Sequence, residues 1–383
     1  MATIIYGTLY PFQFVWPNLE QIEWLDWGTQ VSQRTTNGDR LSNLLTFIPI
    51  GFIGLLLCPR PAKKYNSQIV ILTRALWVLL AACSFAYLLQ IVQFFTPRRV
   101  PTAADVLYNC WGVIVGLLVA IWLEYFLSKK GNGGKYWFSQ YAIPAFLVSV
   151  WGLVQLFPFF LATDLVTLEN HLVQLIDLER FSFSQFFIQS IFWFTFYRLL
   201  QDYFLVRKSA IVLGLVGVGF IILKILIPHV DISFTWLLGM MAGLLFGIVL
   251  TRKFEKVELA KINILLLLFA LIIMEFYPFH TKMFISSFNW LPLGSFLNGS
   301  LWVNTQLVLK LFFVYGSLLF WLNLIFPEKI KNILILVVIV LIQEISQLVF
   351  SFGQADITNP LLVGMLGFAF LKFEKVELKH LKS

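Results

Sequence analysis

Charge is the scarcest commodity in this chain. Only 13% of its 383 residues are Asp, Glu, Lys or Arg, about half of the roughly 25% carried by a soluble domain. A folded chain of that length could not cover itself in water with so few, so a soluble globular enzyme is excluded. The 59% hydrophobic content excludes disorder as well. Cysteine is nearly absent: Cys58, Cys83 and Cys110 lie in apolar runs without CxxC spacing and read as small core residues. The four histidines, His171, His229, His280 and His380, are scattered, and no HExxH or Cys/His pattern of metal spacing occurs. A GxSxG elbow and a phosphate-cradling P-loop are missing too, so neither cofactor nor metal is expected. Met1–Tyr6 has neither the basic start nor the long apolar core of a cleavable signal.

What fills the space is apolar and aromatic, with forty Phe and thirteen Trp. Eleven apolar stretches approach the ~20 residues needed to cross hydrocarbon: 42–58, 75–95, 104–127, 139–160, 183–204, 208–227, 232–251, 262–278, 303–326, 331–352 and 357–371. The fold class is therefore all-α, a polytopic helical membrane protein of about eleven spans, with the bilayer as its first partner. Twenty of the 28 Lys and Arg, Arg74 among them, fall in one set of loops and the C-terminal tail. Six fall in the other: Arg34, Arg40, Arg98, Arg99, Arg180 and Lys282. That bias puts the C-terminus in the cytoplasm and residues 1–42 outside. It also accounts for the net charge of +8 without nucleic acid, because the basic residues have no aromatic platform among them.

The chain repeats itself. Phe254-Glu255-Lys256-Val257-Glu258-Leu259 recurs as Phe373-Glu374-Lys375-Val376-Glu377-Leu378, 119 residues on. An aromatic-Pro-Phe triplet occurs at Tyr10-Pro11-Phe12, Phe157-Pro158-Phe159 and Tyr277-Pro278-Phe279, and an external Asp opens a helix at Asp105, Asp231 and Asp356. Small residues follow each Asp on one helical stripe: Asn109, Gly112 and Gly116; Gly239, Gly243 and Gly247; Gly364 and Gly367. Such a stripe lets a second helix approach closely in lipid, and an N-cap Asp with packing glycines would explain it without a ligand. Three related units are expected: 1–136 with three spans, a degenerate 137–259 with four, and 260–383 with four. Leu161, Leu165, Leu168, Leu172 and Leu175, opposite Asp164, Thr167, His171 and Gln174, predict an amphipathic helix along the outer interface.

Polar residues inside a membrane are costly and mark candidate sites. One concentration holds Gln90, Gln93, Arg98, Arg99, Asp105 and Asn109; the other holds Glu344, Gln347, Asp356 and Asn359. These ten are the candidate ligand-binding residues. The middle unit keeps Asp231, His229 and Lys224, and Gln155 stands where the last unit has Glu275. A buried Glu344 needs a partner, a role suited to the arginines of the first unit. Arg98 and Arg99 also match the geometry of an anionic head group.

Asn43-Leu44-Leu45-Thr46-Phe47-Ile48-Pro49-Ile50-Gly51-Phe52 resembles the opening helix of the VanZ-like family of bacterial membrane proteins. Gln90-Ile91-Val92-Gln93, Arg99, Asp105, Asn109, Gly112 and Gly116 fit its continuation, with Gln90 where the family has an acid. Glu344-Ile345-Ser346-Gln347, Asp356, Asn359 and Gly364 repeat it with the acid present, while Phe312-Phe313-Val314-Tyr315-Gly316 lacks the proline. The resemblance implies a multi-spanning cell-envelope protein and no particular reaction. An envelope protein binding an anionic or lipid-linked ligand at its outer face is expected. The alternatives are a transporter or flippase, a membrane enzyme using Asp or Glu as acid and base, and a structural protein whose polar clusters lock helices together. No catalytic residue is assigned, because no nucleophile accompanies the acids.

Overall fold

The computed structural model of the chain describes residues 9, 14–16, 37–58, 67–96, 102–129, 132–157, 165–203, 210–227, 232–279, 281, 287–292, 294, 301–350 and 355–381. It is all-α, and two isolated β-bridges are the only strand-like pairing among the described residues. The chain divides into two compact units, Met1–Tyr136 and Trp137–Ser383.

The first unit contains α1 (Asn37–Leu57), α2 (Ser67–Gln93) and α3 (Ala103–Lys129). Helices in lipid gain little from hiding apolar surface from one another, so they associate by close packing. The α1–α3 seam shows how. A Cβ on Gly51 would strike the backbone of Val113, and one on Gly112 or Gly116 would strike the carbonyl of Leu44 or Ile48. Phe47, Leu55, Val113, Leu117 and Ala120 are buried around the seam. Arg74, expected in a loop, lies inside α2 and is 5% exposed. Its Nη2 donates to the Leu55 carbonyl at 2.5 Å and its Nε to that of Cys58 at 3.2 Å. It thereby satisfies C-terminal carbonyls of α1 that have no partner within their own helix. Ile69, Leu72, Leu76, Trp77 and Leu80 point away from the unit and are exposed, as a lipid-facing surface requires.

The second unit contains α4 (Asn132–Leu156), which begins just before the boundary, α5 (Leu165–Ile176), α6 (Phe183–Tyr203), α7 (Ala210–Leu226) and α8 (Phe234–Lys253). It continues with α9 (Lys256–Phe276), α10 (Leu301–Ile325), α11 (Lys329–Ser346) and α12 (Thr358–Leu381). Trp151 of α4 sits at its centre, stacked on Phe313 at 4.8 Å and edge-on to Phe192 and Trp193. The α6–α8 seam repeats the glycine device, with Gly239, Gly243 and Gly247 against Gln189, Ser190 and Tyr197. The stripe on α12 differs: Gly367 meets only the Ile333 side chain, and Gly364 faces open space.

Each of the eleven apolar stretches coincides with a helix. Among the described residues, five are long and apolar enough to cross a membrane by themselves: Ile69–Gln93, Ala103–Trp122, Phe234–Lys253, Lys256–Phe276 and Val303–Ile325. Two ends shift. The helix expected over 331–352 stops at Ser346, where the Gln347 N–H is shared between the Gln343 and Glu344 carbonyls and tightens the last turn. The one expected over 357–371 runs on to Leu381. On α5 the inward face is also rotated from expectation. His171 and Leu175 are buried, because the Ile225 carbonyl at the end of α7 accepts from His171 Nδ1 at 3.1 Å, whereas Leu172 is exposed. Leu161 and Asp164 lie outside the described residues.

Candidate functional site

In the first unit, the end of α2 and the start of α3 bring polar side chains together inside apolar helices. Gln90 and Gln93 are three apart and therefore share a face of α2; both are buried, as is Asn109 on α3. Thr102 supplies the cap of α3, its hydroxyl accepting from the Asp105 N–H at 3.2 Å. This leaves the Asp105 carboxylate for another use: Oδ1 accepts from Asn43 Nδ2 at 2.5 Å. Asn43, Phe47 and Gly51 follow one another at helical spacing, so a single stripe of α1 supplies the Asp105 donor, a buried ring and the close contact with α3. Gln90 Oε1 and Asn109 Oδ1 are buried and have no hydrogen-bond partner. An unsatisfied buried acceptor costs about 1–3 kcal/mol. Arg98 and Arg99 lie outside the described residues.

In the second unit, Glu344 is 1% exposed and both its oxygens are occupied. Oε2 accepts from the Asp356 backbone N–H at 2.9 Å, and Oε1 accepts from Asn359 Nδ2 at 2.5 Å. Both donors are neutral and come from the next helix start, twelve and fifteen residues on; the arginines expected to partner Glu344 lie outside the described residues. Asp356 acts as a cap, its Oδ1 accepting from the Thr358 N–H at 2.7 Å. The Gln347 side chain reaches a different acid: its Nε2 donates to Glu275 Oε2 at 2.6 Å. Tyr315 is fully buried within electrostatic reach of Glu275, Glu344 and Asp356, and its hydroxyl has no hydrogen-bond partner, nor has Asn359 Oδ1. Asn289 ties the 287–292 segment to this corner: its N–H donates to the Ala355 carbonyl, and its own carbonyl accepts from Ile357. No His, Cys, Asp and Glu cluster able to hold a metal is present among the described residues.

A third polar contact lies between α4, α7 and α8. Gln155 Oε1 accepts from Trp236 Nε1 at 2.8 Å and from Lys224 Nζ at 3.2 Å, and the Lys224 ammonium lies 4.2 Å from the centre of the Trp236 ring. All three are buried. Asp231 and His229 lie outside the described residues. Sequence reasoning missed Tyr315, Gln189 and the buried Thr195–Asn263 hydrogen bond of 2.7 Å between α6 and α9. None carries a charge that would draw notice in an apolar run.

The VanZ/LLP1 family model matches residues 2–124. This segment holds the 43–52 helix as well as Gln90, Gln93, Asp105 and Asn109. No curated protein and no solved structure matches the chain.

Proposed function

We propose that this membrane protein, whose residues 2–124 match the VanZ/LLP1 family model, is a cell-envelope binding protein that takes an anionic or lipid-linked ligand near its external face. The contact residues are Gln90, Gln93, Arg98, Arg99, Asp105 and Asn109 in the first cluster, and Glu344, Gln347, Asp356 and Asn359 in the second. One observation carries this reading: Gln90 Oε1 and Asn109 Oδ1 are held without partners inside apolar helices, at a standing cost that a bound donor removes. Arg98 and Arg99 follow Gln93 in the chain after Phe94-Phe95-Thr96-Pro97, and they would supply the positive charge for a phosphate or carboxylate. The same proposal has the C-terminus in the cytoplasm and residues 1–42 outside, in the cell membrane of a bacterium; the Lys and Arg bias between the two sets of loops supports the orientation.

The three-unit organisation, 1–136, 137–259 and 260–383, belongs to the same proposal. Its support is a shared contact. Gln155 and Glu275, each two residues before the aromatic-Pro pair, accept from the end of the next-to-last helix of their unit, from Lys224 of α7 and from Gln347 just after α11. Transport is the second reading, favoured by Glu275 and Glu344, two carboxylates that accept from neutral donors among the described residues.

Native mass spectrometry of the purified protein tests the binding reading. Wild type is expected to carry lipid or cell-wall precursor that Arg99→Ala loses by about tenfold or more, the effect of one charge-assisted contact. Equal occupancy in both proteins would count against it.

A further inference from the structure

We propose that a cavity of ≈ 220 Å³ beneath α5 binds the head group of a glycolipid, one sugar ring whose acyl chains lie along an apolar rim. The cavity shares no residue with the two candidate ligand clusters and touches the Gln155–Lys224 contact only through Trp236, and its occupation requires only that the protein span a membrane.

Two stretches of chain build the cavity, 174–189 and 232–236. Gln174 comes from the end of α5, Arg180 and Ser182 from the turn that follows, Gln185 and Gln189 from the first turns of α6, and Thr235 from the start of α8. The wall between α6 and α8 is fixed, because the Ser182 N–H donates to Thr235 Oγ1 at 3.1 Å and Ser233 caps α8 by accepting from the Trp236 N–H. At about 30 Å³ per water molecule, the space is that of a small polar group and falls below the 300–1,000 Å³ of a drug-sized site.

The lining selects the chemistry. It contains no carboxylate, so a metal cation meets no opposite charge. Its one cation, Arg180, is largely exposed and already pairs with Asp177 at 3.2 Å, which leaves a bare anion with a solvated, neutralised partner. What remains is three amides and several hydroxyls, groups that both donate and accept. Gln189 decides between ligands: it is 8% exposed, and its Oε1 has no partner. That acceptor requires a donor, which a sugar hydroxyl provides and a phosphate oxygen does not. Directly beside the polar lining the chain turns apolar, with Ile176 75%, Leu178 65% and Phe183 72% exposed. Large side chains so placed on a membrane protein face acyl chains.

The test uses the full chain in a detergent without a sugar head. Monoglucosyl diacylglycerol, diacylglycerol with the same chains, phosphatidylglycerol and free methyl glucoside are offered, and retention is read by native mass spectrometry. Wild type is expected to hold the glucosyl lipid about tenfold better than diacylglycerol, and Gln189→Leu to lose about as much, one buried hydrogen bond to a hydroxyl being worth roughly that. Gln174→Ala, a change on the half-exposed side of the cavity, is expected to weaken retention without moving the melting temperature, and keeps the test valid if Gln189→Leu folds poorly. Equal retention of the two neutral lipids, or no loss in either variant, overturns the proposal. So does preferential retention of phosphatidylglycerol, whose glycerol hydroxyls would then be the donors in place of a sugar, or of methyl glucoside, which would make the rim irrelevant.

Discussion

Glu344→Ala is expected to cost the second unit about 2–6 kcal/mol, two buried donors left unsatisfied at about 1–3 kcal/mol each. The carboxylate is 1% exposed and accepts two hydrogen bonds, from the Asp356 N–H and Asn359 Nδ2. Alanine leaves both donors in an apolar surround with nothing to receive them. The damage should spread, because Asp356 starts α12 and Asn289 is tied to the residues on either side of it. Glu344→Gln keeps the volume but presents one acceptor to two donors, so about 1–3 kcal/mol is expected from the lost bond. Thermal melts in detergent read both, at about 2–4 °C per kcal/mol for a unit of this size. A Glu344→Ala protein melting with wild type would show that the contact carries no weight. The same pair separates transport from binding. In proteoliposomes Glu344→Gln should stop flux if a carboxylate must carry a proton, whereas a binding protein moves no labelled lipid in either form.

Gly116→Ala is expected to split the first unit, at about 2–3 kcal/mol for an overpacked seam. The added methyl would collide with the Ile48 carbonyl and crowd the Phe52 nitrogen. Backbone cannot step aside as a flexible side chain can, so α1 and α3 must separate, and the Asn43–Asp105 bond along the same seam must weaken. Gly214→Ala on α7 is the control. Nothing lies within 4 Å of a Cβ there, so the substitution should be neutral or stabilise by up to ~1 kcal/mol through helix propensity. Equal effects of the two changes would mean that close approach across the seam is not what the glycine stripe provides.

Much of this architecture can be read from the chain because the membrane imposes one simple demand. A stretch of about twenty apolar residues satisfies it and little else does, and each stretch became a helix. The acidic cluster was equally visible, since Glu344 and Asp356 stand out where charge is rare. Partners were harder. The Gln347 side chain reaches Glu275, 72 residues away, and helix rotation decides this rather than spacing. Arg74 looked like a topology marker until α2 began at Ser67 and carried it inside. The repeated hexapeptide makes the limit plain. At 254–259 it forms a corner, with Phe254 ending α8 and the Glu255 N–H donating to the Glu258 carboxylate as α9 begins. At 373–378 the same six residues lie within α12. Local sequence permits both conformations, and the surroundings choose.

The most direct measurement removes the two unsatisfied acceptors of the first cluster. In Gln90→Leu and Asn109→Leu, apolar side chains of similar size replace amides whose oxygens have no partner. If these atoms are kept for a ligand, each variant stripped of lipid should melt at or above the temperature of stripped wild type, because a desolvation cost of about 1–3 kcal/mol disappears. Envelope lipid should then raise the melting temperature of wild type alone, since a ligand stabilises only the form that binds it. Variants that melt lower than wild type yet respond to lipid equally would contradict the account, and would make the cluster a lock between helices rather than a site.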